Sequence, residues 1–300
     1  MAKAPGVFSG GLCCLSNQSF NSPMPLGAHL PTSKGFAAAL LNAQQLGLDC
    51  LQIFSKSPRQ WNAAPLDAAK VADFRAKWEA SNFTPLVAHD SYLINLAATN
   101  PEVREKSIAA MIDEVERADA LGCDYLVTHC GAHLKSGEEV GMKMLAASLV
   151  EVLEKTPDLK VKIALENTAG QGTTLGGPFH HIGTVLKSVG SPRLSVCFDT
   201  CHAHAAGHDI VTDLESVLAD FEANIGLHNL GVVHLNDSKG KLGGHLDRHE
   251  HIGEGGIGRE GMRAILNHPK LKHLPFILET PEVDTKIADN IVMVRELQGA

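Results

Sequence analysis

The sequence predicts an α/β fold, a single-domain (β/α)8 barrel whose metal site sits at the C-terminal ends of its strands. Three observations predict it. Eight short apolar runs alternate with longer stretches of helical periodicity from Met24 onward; no Pro/Gly/Ser-rich linker divides them; and six consecutive runs finish on His, Asp or Glu. Strands that alternate with helices imply a parallel sheet covered by those helices, and eight strands are what a closed TIM barrel takes.

The runs expected as strands are Leu26–His29, Cys50–Phe54, Pro85–His89, Tyr125–His129, Lys162–Glu166, Leu194–Asp199, Gly231–His234 and Pro275–Glu279. They are continuously apolar, as parallel strands buried on both faces must be. Between them, Glu102–Leu121 carries Val103, Ile108, Met111, Ile112, Val115 and Ala118 at the spacing of a helix with one covered face. Asn100-Pro101 supplies its cap and first-turn proline, and Gly122 its left-handed stop; Gly47 and Gly190 read as the ends of other helices. Residues 1–23 hold one lysine and a short apolar patch at Leu12 to Leu15, too broken for a signal peptide. They are expected to form a flexible leader before a barrel domain spanning 24–300.

A formal charge of -8 excludes a protein that coats nucleic acid through a broad basic surface and leaves only a local site. No apolar run approaches the roughly 20 residues needed to span a bilayer, so no membrane partner is expected. The cysteines, at 13, 14, 50, 123, 130, 197 and 201, contain no Cys-x-x-Cys pair. That excludes a zinc ribbon and a disulfide framework and points to a reducing, cytoplasmic location. Sixteen histidines against two tyrosines and two tryptophans bias the chain toward metal ligation.

The ends of the last six runs are His89, His129, Glu166, Asp199, His234 and Glu279. In a (β/α)8 barrel such ends ring one mouth. Helix caps would have included Ser and Asn, and three carboxylates gathered beside imidazoles are costly unless cations join them. His202, three residues after Asp199, and the pair Asp247 and His249 bring the set to nine. Catalytic zinc takes about three protein ligands plus water, so nine suit two or three metals sharing a carboxylate. His180, His181, His228, His268 and His273 read as solvated. His29, His133, His204, His208, His245 and His251 read as hydrogen-bonding or loop-packing residues near the mouth.

From about Leu26 to the C-terminus the chain resembles endonuclease IV, the zinc-dependent apurinic/apyrimidinic endonuclease family of base-excision repair. The resemblance lies in AHDSYLINL at His89, ALENTAGQG at Glu166, FDTCHAHAAG at Asp199, HLNDSK at His234, DRHEHIGEGGIG at Asp247 and ILET at Glu279. It implies Zn2+, three per chain. His89 and His129 would hold one zinc, with Glu166 bridging it to a second that Asp199, His234 and Glu279 complete; His202, Asp247 and His249 would hold the third. It further implies a monomer that hydrolyses the phosphodiester 5′ to abasic sites in double-stranded DNA, leaving 3′-OH and 5′-deoxyribose phosphate, and that repairs blocked 3′ ends. Glu166 and Glu279 would be catalytic, Glu279 orienting the attacking hydroxide.

The segment Lys56-Ser57-Pro58-Arg59-Gln60-Trp61 resembles the family loop whose arginine enters the DNA base stack, and Tyr92 and Leu93 match the other inserted residues. Lys56, Arg59, Lys135, Lys239, Lys241 and Arg248 are expected to supply the local positive field. One position departs from the family: Cys130 follows His129 where proline is common, and it is expected to be a packed, inert thiol. The alternatives are a sugar isomerase or epimerase of related barrel architecture, whose needs nine ligands exceed, and a non-catalytic lesion-binding protein, against which an intact ligand set argues.

Overall fold

Eight parallel strands close on themselves: β1 (Leu26–His29), β2 (Cys50–Phe54), β3 (Leu86–His89), β4 (Tyr125–His129), β5 (Lys162–Glu166), β6 (Leu194–Asp199), β7 (Leu230–His234) and β8 (Phe276–Leu278), with β8 pairing β1. The computed structural model describes residues 24–298, so the expected leader lies outside the described residues. Pro85 and Pro275 fall outside the strands predicted to begin with them, having no N–H to give a ladder. β7 begins one residue earlier than expected, because Leu230 pairs with Val196.

The helices are α1 (Phe36–Gln45), α2 (Ala68–Ser81), α3 (Pro101–Leu121), α4 (Glu138–Lys155), α5 (Phe179–Val189), α6 (Thr200–Ala206), α7 (Leu214–Asn224), α8 (Gly258–Asn267) and α9 (Val283–Gln298). The ends of α3 are those expected. Asn100 Oδ1 accepts from the Val103 amide at 3.1 Å, and Gly122 takes the left-handed φ of 83° that ordinary residues resist. Not foreseen is α6, a short helix capped by the strand-end carboxylate itself: Asp199 Oδ1 accepts from the His202 amide at 2.7 Å. No described helix is long and apolar enough to cross a membrane.

Strand periodicity positions the site. Side chains alternate faces along a strand, and those pointing outward (Leu51, Ile53, Leu86, Leu126, Ile163, Phe198, Phe276) join Leu40, Phe74, Met111, Phe221 and Val294 of the helices in one buried layer. Each such side chain contributes roughly 1.5–3 kcal/mol. The inward set is separate: Cys50, Val87, Val127, Ala164, Cys197, Val232 and Ile277 fill the barrel interior. On β1 the equivalent residue is Gly27, where a Cβ would stand 2.6 Å from Cys50 Sγ and 2.8 Å from Ile277 Cδ1. Two residues beyond each of these eight comes another inward position, nearer the mouth. Those positions are His29, Gln52, His89, His129, Glu166, Asp199, His234 and Glu279.

Candidate metal centre

The upper ring brings the six strand-end residues together, and two connections complete the set. His202 stands on α6, one turn past Asp199. Asp247 and His249 arrive on the segment after β7, where Asp237–Ser238 and His249–Glu250 pair antiparallel. Asp237 holds that segment: its buried carboxylate accepts from the amides of Gly253, Gly255, Ile257 and Gly258 at 2.9–3.1 Å.

Donor atoms gather into three groups. Glu166 Oε2 is 3.4 Å from His89 Nε2 and 3.3 Å from His129 Nε2. Glu166 Oε1 is 3.1 Å from His234 Nδ1, which lies 3.2 Å from Glu279 Oε2 and 3.9 Å from Asp199 Oδ2. In the third group His202 Nε2 is 3.2 Å from Asp247 Oδ1, and His249 Nε2 is 4.0 Å from Asp247 Oδ1 and 3.8 Å from Asp199 Oδ2. Ligands bound about 2.0–2.1 Å from one tetrahedral zinc stand roughly 3.3 Å apart, so most of these separations suit shared cations. Two buried atoms, Glu166 Oε2 and His249 Nε2, have no hydrogen-bond partner; such orphans are expensive unless a ligand meets them. The donor set fits zinc.

The imidazoles are oriented from behind. His89 Nδ1 lies 3.0 Å from the Asp90 carbonyl, His202 Nδ1 2.9 Å from that of Asn167 and His249 Nδ1 2.9 Å from that of Glu279. A carbonyl only accepts, so each Nδ1 carries a proton, and Nε2 is the atom left to meet a metal once the proton it holds in metal-free protein is released. Asn236 donates to Asp199 Oδ2 at 2.7 Å and accepts from the Glu279 amide at 2.8 Å. The charges respond to one another. Burial pushes His89 down, but the close contact and charge of Glu166 outweigh it and raise it to about 9. His202 and His234 are likewise lifted well above their ordinary value, against the effect of burial, His202 by Asp199, Asp247 and Glu166 and His234 by Cys197 beside it and by the charges of Glu279 and Glu166. Burial raises Glu166 and Glu279, yet the imidazoles around them hold both well below the carboxylate range.

At the rim, Tyr92 is 62% exposed and Leu93 36%. The Tyr92 ring lies 5.8 Å from that of His89 and 6.4 Å from that of His129. Arg59 is exposed on the neighbouring loop, which Ser91 Oγ ties to this one by donating to the Pro58 carbonyl at 2.8 Å. A cavity of about 230 Å³ opens beside His129, between Tyr92, Asn95, Gln171 and Asp247. Lys135, Lys239, Lys241 and Arg248 are exposed, but Lys56 corrects the expectation. Its ammonium is buried and paired with Asp113 and Glu114 of α3, so it belongs to the scaffold and not to the positive rim.

Cys130 is buried and its Sγ donates to the Glu166 carbonyl at 3.5 Å; burial pushes the thiol up to about 12, the behaviour of a packed and inert cysteine. His181 and His268 are buried, not solvated as expected. His181 belongs to a second group with Glu138 and His180, but its Nδ1 accepts the Gly176 amide at 3.2 Å. The proton therefore sits on Nε2, 3.3 Å from Glu138, and a ring nitrogen that carries its proton toward the carboxylate has no lone pair to give a metal there. Reading strand ends alone missed Gln52, Asn167, Asn236 and Asp237. The inward period of two singles out Gln52, as the one polar residue inside the apolar run of β2.

The model of the xylose isomerase-like TIM barrel family matches residues 40–297. A probable endonuclease 4 from Chloroflexus aggregans is 42% identical over 276 residues, 90% of this chain and 96% of that one. Another from Methanoculleus marisnigri is 42% identical over 92% of this chain and 99% of its own. The chain belongs to the endonuclease IV family. The crystal structure of endonuclease IV from Thermus thermophilus superposes with a TM-score of 0.83 at 38% identity, covering 92% of this chain and 99% of that one. A D-tagatose 3-epimerase-like protein, at 20% identity and a TM-score of 0.68, shares the fold alone.

Proposed function

We propose that this chain is a zinc-dependent DNA-repair hydrolase that cuts duplex DNA on the 5′ side of abasic sites, leaving 3′-OH and 5′-deoxyribose phosphate, and clears blocked 3′ ends with the same site. The observation that carries the reading is the convergence of nine zinc-type donors on one mouth, with Glu166 between two of the groups. Three zinc ions are assigned: one to His89, His129 and Glu166, one to Glu166, Asp199, His234 and Glu279, and one to His202, Asp247 and His249. Bound zinc supplies Lewis acidity, letting water ionise near pH 7 instead of about 15.7 and neutralising charge on the phosphate.

The rest is the work of the side chains. Glu166 spans two groups with its two oxygens and fixes their separation. Glu279 Oε2, facing the same space, orients the attacking oxygen and holds its proton. Asp199 and His234 set the floor beneath the phosphate. Arg59, Tyr92 and Leu93 stand above the cluster, where they can occupy the gap left by an extruded nucleotide. The barrel domain from Met24 carries this activity as a monomer, without residues 1–23.

Metal analysis of purified protein, paired with incision of a duplex bearing one abasic-site analogue, tests the reading. About three zincs per chain and a single 5′-side cut are expected, with activity lost on chelation and restored by zinc. A zinc content near one, or an intact duplex, would sink it.

A further inference from the structure

Of the eight positions in the upper ring, two carry no assigned ligand: His29 and Gln52, register partners on β1 and β2. One amide connects them to the cluster. Gln52 is 0% exposed; its Nε2 lies 2.6 Å from Glu279 Oε1 and 2.9 Å from His29 Nδ1, and its Oε1 lies 2.8 Å from His234 Nε2. Chemistry fixes the directions. An ionised Glu279 can only accept, so the amide nitrogen must face it, and the amide oxygen is then left to His234. That oxygen can only accept as well, so His234 carries its proton on Nε2. Its lone pair is on Nδ1, the atom 3.1 Å from Glu166 Oε1 and 3.2 Å from Glu279 Oε2. This is the opposite tautomer from His89, His202 and His249. His29 Nδ1 lies 2.9 Å from the same amide nitrogen and 3.2 Å from Glu279 Oε1, so it shares that end of the network.

We propose that Gln52 is a positioning residue of the metal centre, selecting the tautomer of His234 and turning Glu279 so that Oε2 faces the cluster while Oε1 is held behind it. The proposal rests on the reading of this cluster as a zinc site. Both controlled residues belong to the group built on Glu166, Asp199, His234 and Glu279, so the influence of Gln52 is confined to that group. The third group, whose imidazoles rest on backbone carbonyls, is independent of it. Without Gln52, His234 Nε2–H would be buried with no acceptor, and the imidazole could exchange tautomers or rotate, taking the lone pair away from the metal. The carboxylate of Glu279 would keep only His29 behind it.

Two measurements on the zinc-loaded protein decide the matter. Nitrogen-15 NMR of histidine-labelled wild type should show His234 protonated at Nε2. Chelator competition should show that Gln52→Leu weakens one class of zinc about 10–100-fold, the usual consequence of removing a residue that orients a ligand, and leaves the other classes unchanged. Gln52→Glu keeps an acceptor for His234 but sets a carboxylate against Glu279 Oε1. It should preserve the tautomer and still weaken the same zinc. A wild-type His234 protonated at Nδ1 would overturn the proposal, even if Gln52→Leu does not fold. So would a folded Gln52→Leu with every zinc held as in wild type. Wild-type protein that binds no zinc in the same titration would instead remove the metal centre itself, and the proposal with it.

Discussion

Glu279 shows how much one side chain can be asked to do. Its backbone amide is held by Asn236 at 2.8 Å, its carbonyl receives His249 Nδ1 at 2.9 Å, and its two carboxylate oxygens face opposite ways, one to Gln52 and one to His234. Burial would raise its pKa, but His234 and the hydrogen bond from His29 hold it ionised, so at neutral pH it can orient and accept but cannot act as a proton donor. Glu279→Gln keeps the shape and most contacts while removing that charge. Turnover on abasic duplex should fall by about 10²–10⁴-fold, the range for losing one acid–base group, with duplex affinity preserved. Near-normal turnover in steady-state assays of this variant would take Glu279 out of the chemistry. Among the histidines, the same attention to hydrogen-bond direction separates three that present Nε2 from one that presents Nδ1, a distinction invisible in sequence.

The loops after β2 and β3 act together. The first is anchored from beneath: Ser55 Oγ donates to Glu114 Oε2 at 2.6 Å, Arg117 donates to the Ala64 carbonyl at 3.0 Å, and Lys56 is buried against α3. Arg59 is therefore carried on a fastened loop beside Tyr92, whose ring packs edge-on to Phe54 at 5.7 Å. Replacing Arg59 and Tyr92 together with Ala should leave zinc content unchanged and weaken abasic-duplex binding by about 1–3 kcal/mol for each lost stack. Hydrolysis of a small phosphodiester, which needs no base extrusion, should hardly change. Wild-type incision of abasic duplex by the double variant would refute the wedge assignment. The strands and the strand-end cluster were legible because a parallel strand is one short apolar run and its last inward residue is adjacent to it in sequence. Lys56 was misread for the converse reason, since its partners Asp113 and Glu114 lie on another helix far along the chain. Gln52 was overlooked because one polar residue in an apolar run looks like noise until the register shows it level with the ligands. The helix α6 escaped notice because its cap is itself a member of the cluster.

Taken as a whole molecule, the barrel has five strands ending in one charged cluster and a sixth, β8, ending one residue before its contribution, so cations in that cluster should govern stability as well as chemistry. In metal-free protein, protons must balance the carboxylates. A histidine raised to about 9 in the folded state, as His89 is, stabilises fully below its unfolded pKa of about 6.5 and loses that contribution as pH rises through about 9. His202 and His234, also raised, act in the same direction. Glu166 and Glu279 are depressed, so their contribution is present above the ordinary carboxylate range and fades only as pH falls through their folded values. Metal-free protein should therefore be most stable in weak acid and lose melting temperature toward alkaline pH. Zinc reverses the upper limb, because an imidazole must be neutral to bind it: uptake near pH 7 should expel the protons of His89, His202 and His234, and affinity should rise with pH. The gap in melting temperature between zinc-loaded and chelator-stripped protein is thus expected to widen from about pH 6 to about pH 9. Calorimetry in buffers of different ionisation enthalpy should register the released protons. A gap that narrows over that range, or zinc uptake without proton release, would mean that the imidazoles are already neutral and that something other than protons balances the buried carboxylates.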